Sequence, residues 1–193
     1  GTPRAIAQAL VEHLFAAFPK AHLTVREDNL SDLEEGLRAH RLDLILSDTV
    51  LSGETGDDFI MRLRGRIPVV LAAAPALARR LRPLPGALNG APMILPAHPS
   101  HIYHQVLDIF GRWKVKPDVV AEVQDVELAR RLAIAGHGIV PLNRETLKAS
   151  HSEGRLVTLP LRPLGVYEPV YLMARQRRWL NPLAEHALNR FRL

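Results

Sequence analysis

The sequence predicts an α/β chain arranged as two lobes joined by two crossing strands. Apolar helices and strands alternate along it, and two apolar strands, near Val69 and Tyr171, bracket a self-contained α/β unit. A length of 193 residues suits two small lobes, and a hydrophobic content of 47% suffices for a core.

The first elements follow from spacing and capping. Thr2-Pro3 opens a helix, because threonine caps and proline suits the first helical position. Ile6, Leu10, Leu14 and Phe18 recur every fourth residue, and Pro19 ends the helix. His22 to Glu27 alternates like a half-buried strand. Ser31 and Glu34 have capping-box spacing, with Leu33 and Leu37 on one face of the helix that follows. Leu42 to Leu46 reads as a strand ending in Ser47-Asp48-Thr49. The order is therefore α, β, α, β. A doubly wound sheet begins with a strand, so residues preceding Gly1 are expected to supply a central one.

Residues 52–58 are loop-like, Phe59–Leu63 and Ile67–Ala74 read as two strands, and Arg79–Gly90 reads as a Pro-, Arg- and Gly-rich connection. Ala91–Leu95 is a strand. Pro99-Ser100 opens a helix with Ile102, Val106, Ile109, Phe110 and Trp113 on its apolar face. Val119–Val123 is a strand, and Asp125 caps a helix that ends at Gly136. Gly138–Pro141, Leu156–Leu161 and Val170–Ala174 are strands. Asn181-Pro182 starts a last helix with Leu183, Ala187 and Phe191 inward. The expected lobes are 1–68 with 169–193, and 69–168. No repeat of about 20–50 residues is visible.

Composition removes several function classes. Without cysteine there is no disulfide, thiolate metal site or cysteine nucleophile, and a cytoplasmic location is expected. No apolar run reaches about 18 residues, and no charged-then-apolar leader opens the chain, so neither a membrane partner nor a signal peptide is expected. The net charge of +5 would tolerate anionic partners. The arginines are scattered, though, and aromatic residues are too few for base stacking, which argues against direct nucleic-acid binding.

Enzyme and cofactor motifs are missing. There is no Gly-x-Ser-x-Gly elbow, no Walker loop and no Gly-x-Gly-x-x-Gly, so no cofactor is expected. His98, His101, His104 and Asp108 have one-turn spacings, but a solvated helix face gives the same pattern, and no metal site is assigned. Asp57-Asp58 reads as a solvated pair. The clusters Arg79-Arg80-Arg82 and Arg175-Arg177-Arg178 read as solvated faces, with a dimer or anion contact as the alternative.

Ordered fragments carry a family resemblance. They are Phe18-Pro19 before the strand His22–Glu27, Leu42-Asp43-Leu44-Ile45, Pro92-Met93-Ile94-Leu95 followed by Ser100, Pro117–Asp125 with Glu122, and Ala135-Gly-His-Gly-Ile-Val-Pro141. In this order the chain resembles, over essentially its whole length, the effector-binding region of LysR-type transcriptional regulators. The resemblance implies a two-lobed, periplasmic-binding-protein-like fold of type 2, with mixed sheets and flanking helices. It also implies a small-molecule effector and a homodimer or tetramer, with DNA contacted only through a winged helix-turn-helix domain outside this chain. Ser47-Asp48, in place of a glycine-rich strand end, resembles the branch of sodium–proton antiporter activators.

The candidate effector site is the cleft between lobes, with Thr2, Ser47, Asp48, Thr49, Ser100, His101 and His137 as its residues. Thr2 and Ser100 each open a helix, whose N-terminal N–H groups suit anions. Both also read as plain caps. Ser47–Thr49 follow a strand's carboxyl end, where open α/β sheets bind ligands. Asp48 either faces a cation or amine, or closes a turn. Two other readings share the fold: a transporter's solute-binding protein, which a signal peptide would favour, and an enzyme, for which no catalytic residues can be placed.

Overall fold

A computed structural model describes residues 4–51, 58–98 and 100–193. Gly1, Thr2, Pro3, residues 52–57 and Pro99 lie outside the described residues. The elements are α1 (Arg4–Ala17), α2 (Leu30–Arg38), β1 (Ile45–Ser47), β2 (Phe59–Ala73), α3 (Pro75–Arg80), β3 (Pro92–Pro96) and α4 (His101–Trp113). They continue with β4 (Asp118–Val123), α5 (Val126–Ile134), β5 (Val140–Asn143), α6 (Arg144–Ser152), β6 (Val157–Thr158), β7 (Tyr167–Arg175) and α7 (Pro182–Arg190). The chain divides into two compact units, residues 1–66 with 169–193, and 67–168. The main strand order is β1–β7–β2–β5, with β6 beside β2.

In the first unit, α1 buries Ile6, Leu10 and Leu14, one turn apart. Leu10 and Leu14 pack with Leu172, Ala174, Leu188 and Phe191. β1 pairs antiparallel with β7, Leu46 opposite Leu172. The ladder starts at Ile45, so β1 begins later than the expected Leu42. The cap of α2 is Asn29, not Ser31: Asn29 is extended and its Oδ1 accepts from the Asp32 N–H at 2.9 Å, whereas Ser31 is already helical. Asn181 caps α7 as expected, but Ala184, Ala187 and Leu188 are its buried residues and Leu183 is only half-buried.

The strand expected at residues 22–27 is not formed. A strand needs a neighbour for its ladder bonds, and among the described residues none lies alongside this segment. The two strands expected around Arg64 are one, the fifteen-residue β2. Gly65 sits within it because a Cβ there would lie 2.9 Å from the Leu193 Cβ, so the glycine marks a close approach.

In the second unit, β3 and β4 are parallel, and Ile139 bridges Met93 in parallel on the other side of β3. Side chains of β3 alternate between two helical layers. Met93 and Leu95 pack with Val106 and Phe110 of α4, while Ile94 packs with Ala129 and Ala133 of α5. Gly138 fits beneath Ile94, where a Cβ would meet Ile94 Cγ1 and Pro92 O at 3.1 Å. β5 and β6 pair antiparallel with β2.

Two helices of this unit are absent from the sequence reading. α3 covers the unassigned residues 75–78 and the first two of the expected connection, Arg79 and Arg80, with Pro75 at its first turn. α6 follows β5 directly, and Asn143 Oδ1 accepts from the Thr146 N–H at 2.8 Å. Arg130 ties α5 to α6 by donating to Ser150 Oγ, while Glu127 accepts from Arg130 on its own helix. β6 is shorter than the expected strand 156–161.

Candidate functional site

Parallel strands place ligand-facing groups beyond their carboxyl ends, where following helices begin and point free N–H groups at the opening. In the second unit that end lies past Pro96 of β3 and past Asn143 of β5. Ser100, just after β3, is the N-cap of α4: its Oγ accepts from the Tyr103 N–H at 3.3 Å. Each serine oxygen has further hydrogen-bonding capacity, so capping leaves the hydroxyl proton available to a ligand. α4 carries no acidic residue in its first turn, so its amino end keeps its positive character.

Around this helix start stands an aromatic group. His98 and His104 lie ring to ring at 5.2 Å, and Tyr103 stacks edge-on against His104 at 5.4 Å. The Tyr103 hydroxyl donates to Glu122 of β4 at 3.4 Å. His101 is exposed and its Nε2 lies 2.7 Å from Gln105 Nε2. His98, Tyr103 and Glu122 were not sequence candidates for the site. Tyr103 and Glu122 are 19 residues apart, and only the β3–β4 pairing brings them together.

Asn143 and Glu168 form a second feature of the same unit. Asn143 Nδ2 donates to Glu168 Oε2 at 2.7 Å, and Glu168 is only 6% exposed. A buried carboxylate is costly unless hydrogen-bonded, so this pair is either a structural anchor or a recognition group. It lies at the carboxyl end of β5, where Asn143 is opposite Val69 of β2. The sequence signal was a carboxylate inside the apolar run Val166–Val170.

The remaining candidates fall into separate places. Ser47, Asp48 and Thr49 cluster at the end of β1 in the first unit. Ser47 is buried and its Oγ accepts from the Thr49 N–H at 3.0 Å, while Thr49 Oγ1 donates to Asp48 at 3.3 Å. Such a turn orients its own backbone. His137 is exposed between Gly136, at φ +87°, and Gly138. It precedes the Ile139 bridge to Met93, so it stands at the amino ends of the parallel strands. Ser100 stands beyond the opposite end. Within the second unit, His137 and Ser100 are therefore not brought together. Thr2 lies outside the described residues.

Charge elsewhere serves the scaffold. Arg130 and Arg131 both bond Glu127, and the Arg130 hydrogen bond above all holds that carboxyl down to about 2. Arg175 donates to the Arg38 carbonyl, closing the carboxyl end of α2. Among the described residues, no three His, Asp or Glu side chains come together as a metal site, and no helix is long and apolar enough to cross a membrane.

The model of one protein family, the LysR substrate binding domain, matches residues 1–192. Solved structures share the fold. The Synechocystis PCC6803 CcmR regulatory domain, in complex with 2-PG, is 18% identical with a TM-score of 0.70, over 96% of this chain and 89% of that one. The bromide-bound regulatory domain of HypT from Salmonella typhimurium is 16% identical with a TM-score of 0.70, over 93% and 85%. The LysR family regulator CbnR is 16% identical with a TM-score of 0.71, over 98% of this chain but 65% of that one. Full-length HypT is likewise covered only to 61%. No curated protein sequence matches. The fold is thus the periplasmic-binding-protein-like fold of type 2, and the chain belongs to the LysR family as the effector-binding, or substrate binding, domain of a LysR-type transcriptional regulator.

Proposed function

We propose that this domain senses a small polar or anionic molecule held in the cleft between lobe I (1–68 with 169–193) and lobe II (69–168). Ser100 at the amino end of α4 carries the reading: a capped helix start, free of acidic residues in its first turn, beyond the carboxyl end of a parallel strand. Thr2, Ser47, Asp48, Thr49 and His101 complete the proposed contacts. His137 contributes only from the far end of the lobe II strands. That related domains are described in complex with 2-PG and with bromide ion supports a small ligand. The antiporter-activator branch rests on Ser47-Asp48 alone.

In this reading the chain is cytoplasmic and is not an enzyme: the residues gathered at Ser100 bind and orient a ligand. Binding favours one lobe arrangement by its differential affinity, and that bias is relayed to a winged helix-turn-helix domain outside this chain. The working assembly is a homodimer or tetramer. The test is a thermal-shift panel of carboxylates, phosphates and halides on the 193-residue chain. Expected is a concentration-dependent rise in Tm for at least one small anion and none for neutral analogues of equal size. No rise with any polar or anionic compound would contradict the proposal.

A further inference from the structure

The link between β7 and α7, residues 176–181, is pinned at both ends. The Gln176 N–H donates to the Asp58 carbonyl at 2.8 Å, and Asn181 caps α7, its Oδ1 accepting from the Leu183 N–H at 2.9 Å. Leu180 packs against the apolar cluster of Leu172, Ala174 and Leu188. The residues before it face outward: Arg177 is half-buried, Arg178 is exposed and Trp179 is 79% exposed.

This loop carries positive charge that its surroundings do not offset. No Asp or Glu lies between Glu168 and Glu185 in the chain. The carboxylates of neighbouring elements are already engaged, Glu34 and Asp58 by Arg38 at 2.8 and 3.5 Å, and Glu35 by Arg41 at 2.9 Å. Arg175 is committed to the Arg38 carbonyl and lies 3.2 Å from His40 Nε2. Among the described residues, Arg177 and Arg178 meet no carboxylate. The His40 ring registers the surplus: its pKa is held below the usual 6.5, first by the Arg177 guanidinium, then by desolvation and by Arg175.

We propose that Arg177, Arg178 and Trp179 dock a short acidic segment of a partner protein, its carboxylates on the two guanidiniums and one of its apolar side chains on the indole. An indole left in water forgoes the burial of a large apolar ring, and Arg178 stands over it at 5.9 Å. Trp and Arg are the residue types enriched at binding hot spots, and a guanidinium takes a carboxylate through two parallel hydrogen bonds. Charge complementarity selects an acidic occupant. The rings favour protein over nucleic acid, because successive bases need successive stacking platforms. Phe15 and Tyr167, the other exposed large aromatic rings among the described residues, stand on α1 and at the opposite end of β7.

The probe is a short fluorescein-labelled peptide of Asp and Glu with one central Leu, titrated with the 193-residue chain and read by anisotropy. Its counterpart replaces every Asp and Glu by Asn and Gln. Expected is saturable binding of the acidic peptide alone, weakening as salt is raised. Arg177→Glu with Arg178→Glu, and separately Trp179→Ala, should each lower affinity at least about tenfold, with Tm checked for each variant. Arg79→Glu with Arg80→Glu, on α3 of the second unit, should leave it unchanged. No saturable binding, or equal binding of both peptides, would overturn the proposal. So would an unchanged affinity in Trp179→Ala, which would leave charge attraction alone. A short DNA strand or duplex that binds more tightly than the peptide through the same residues would assign the patch to nucleic acid and overturn it. Self-association of the chain that Trp179→Ala weakens in sedimentation would assign it to a second copy and overturn it as well.

Discussion

Asn143 holds the buried Glu168 carboxylate with one arm of its amide and starts a helix with the other. Its Nδ2 donates to Glu168 Oε2 at 2.7 Å, and its Oδ1 accepts from the Thr146 N–H at 2.8 Å. Asn143→Asp keeps the cap and replaces the donor by a second carboxylate. It should destabilise the domain by about 2–4 kcal/mol at neutral pH, and by more than Asn143→Ser, which also caps but brings no like charge. Urea unfolding of both variants checks this. Equal losses would assign Asn143 to capping alone.

Acidity should act on two separate sites. Glu127 has its carboxyl lowered from 4.5 to about 2 by its Arg130 and Arg131 partners. A carboxyl depressed in the folded state adds stability above the unfolded value, and that stability is lost as pH falls from about 4.5 toward 2. Glu127 is partly solvent-facing, so screening reduces the contribution to about 1–2 kcal/mol. Glu127→Gln should therefore lower Tm at pH 7 and leave it nearly unchanged near pH 2.

His13 should respond in a higher window. Its pKa is lowered from 6.5, first by burial and then by His186, whose ring lies 5.1 Å away. Its Nε2 is buried and has no hydrogen-bond partner among the described residues. As pH falls below about 6.5 the unfolded chain takes up the proton first, so stability present above that pH declines. His13→Phe, which keeps the packing against Phe191, should flatten the stability–pH curve between about pH 5 and 7. A slope unchanged in the variant would remove His13 as its source.

Self-association should use exposed apolar residues on each unit. Phe15 is 44% exposed, off the Ile6, Leu10 and Leu14 face of α1. Leu107 on α4 and Val119 and Val120 on β4 are exposed in the second unit. In an isologous, two-fold symmetric pair each contact is repeated twice, so one charge per chain enters the interface twice. Phe15→Glu and Val120→Lys should each weaken the dimer by at least about tenfold in sedimentation. A strict monomer for the unmodified chain at high micromolar concentration would rule the pairing out.

Local signals were legible in the sequence and non-local ones were not. The caps Ser100, Asp125 and Asn181 were read correctly because a cap needs only its own next two or three residues. The strand at 22–27 was misread because alternation marks a willing strand but says nothing of its partner. β2 was split in two because Arg62, Arg64, Gly65 and Arg66 break its apolar run, whereas pairing and the approach of Leu193 carry it through. α6 was missed because its largely polar run Arg144–Ser152 has too few apolar residues to mark a helix face. Of the candidate site, the capping role of Ser100 was legible, and the pairs Tyr103–Glu122 and Asn143–Glu168, whose partners are 19 and 25 residues away, were not.

Calorimetric titration with an anion identified by thermal shift, on the unmodified chain and on Ser100→Ala, Ser100→Asp and Thr2→Ala, tests effector sensing most directly. Ser100→Asp keeps α4 capped, so Tm without ligand should hold, while a carboxylate now occupies the place of the anion. The predicted result is a roughly ten- to hundredfold loss of affinity in each alanine variant and a larger loss in Ser100→Asp. Affinity unchanged in all three variants would contradict a ligand held at the helix starts and leave these hydroxyls as caps.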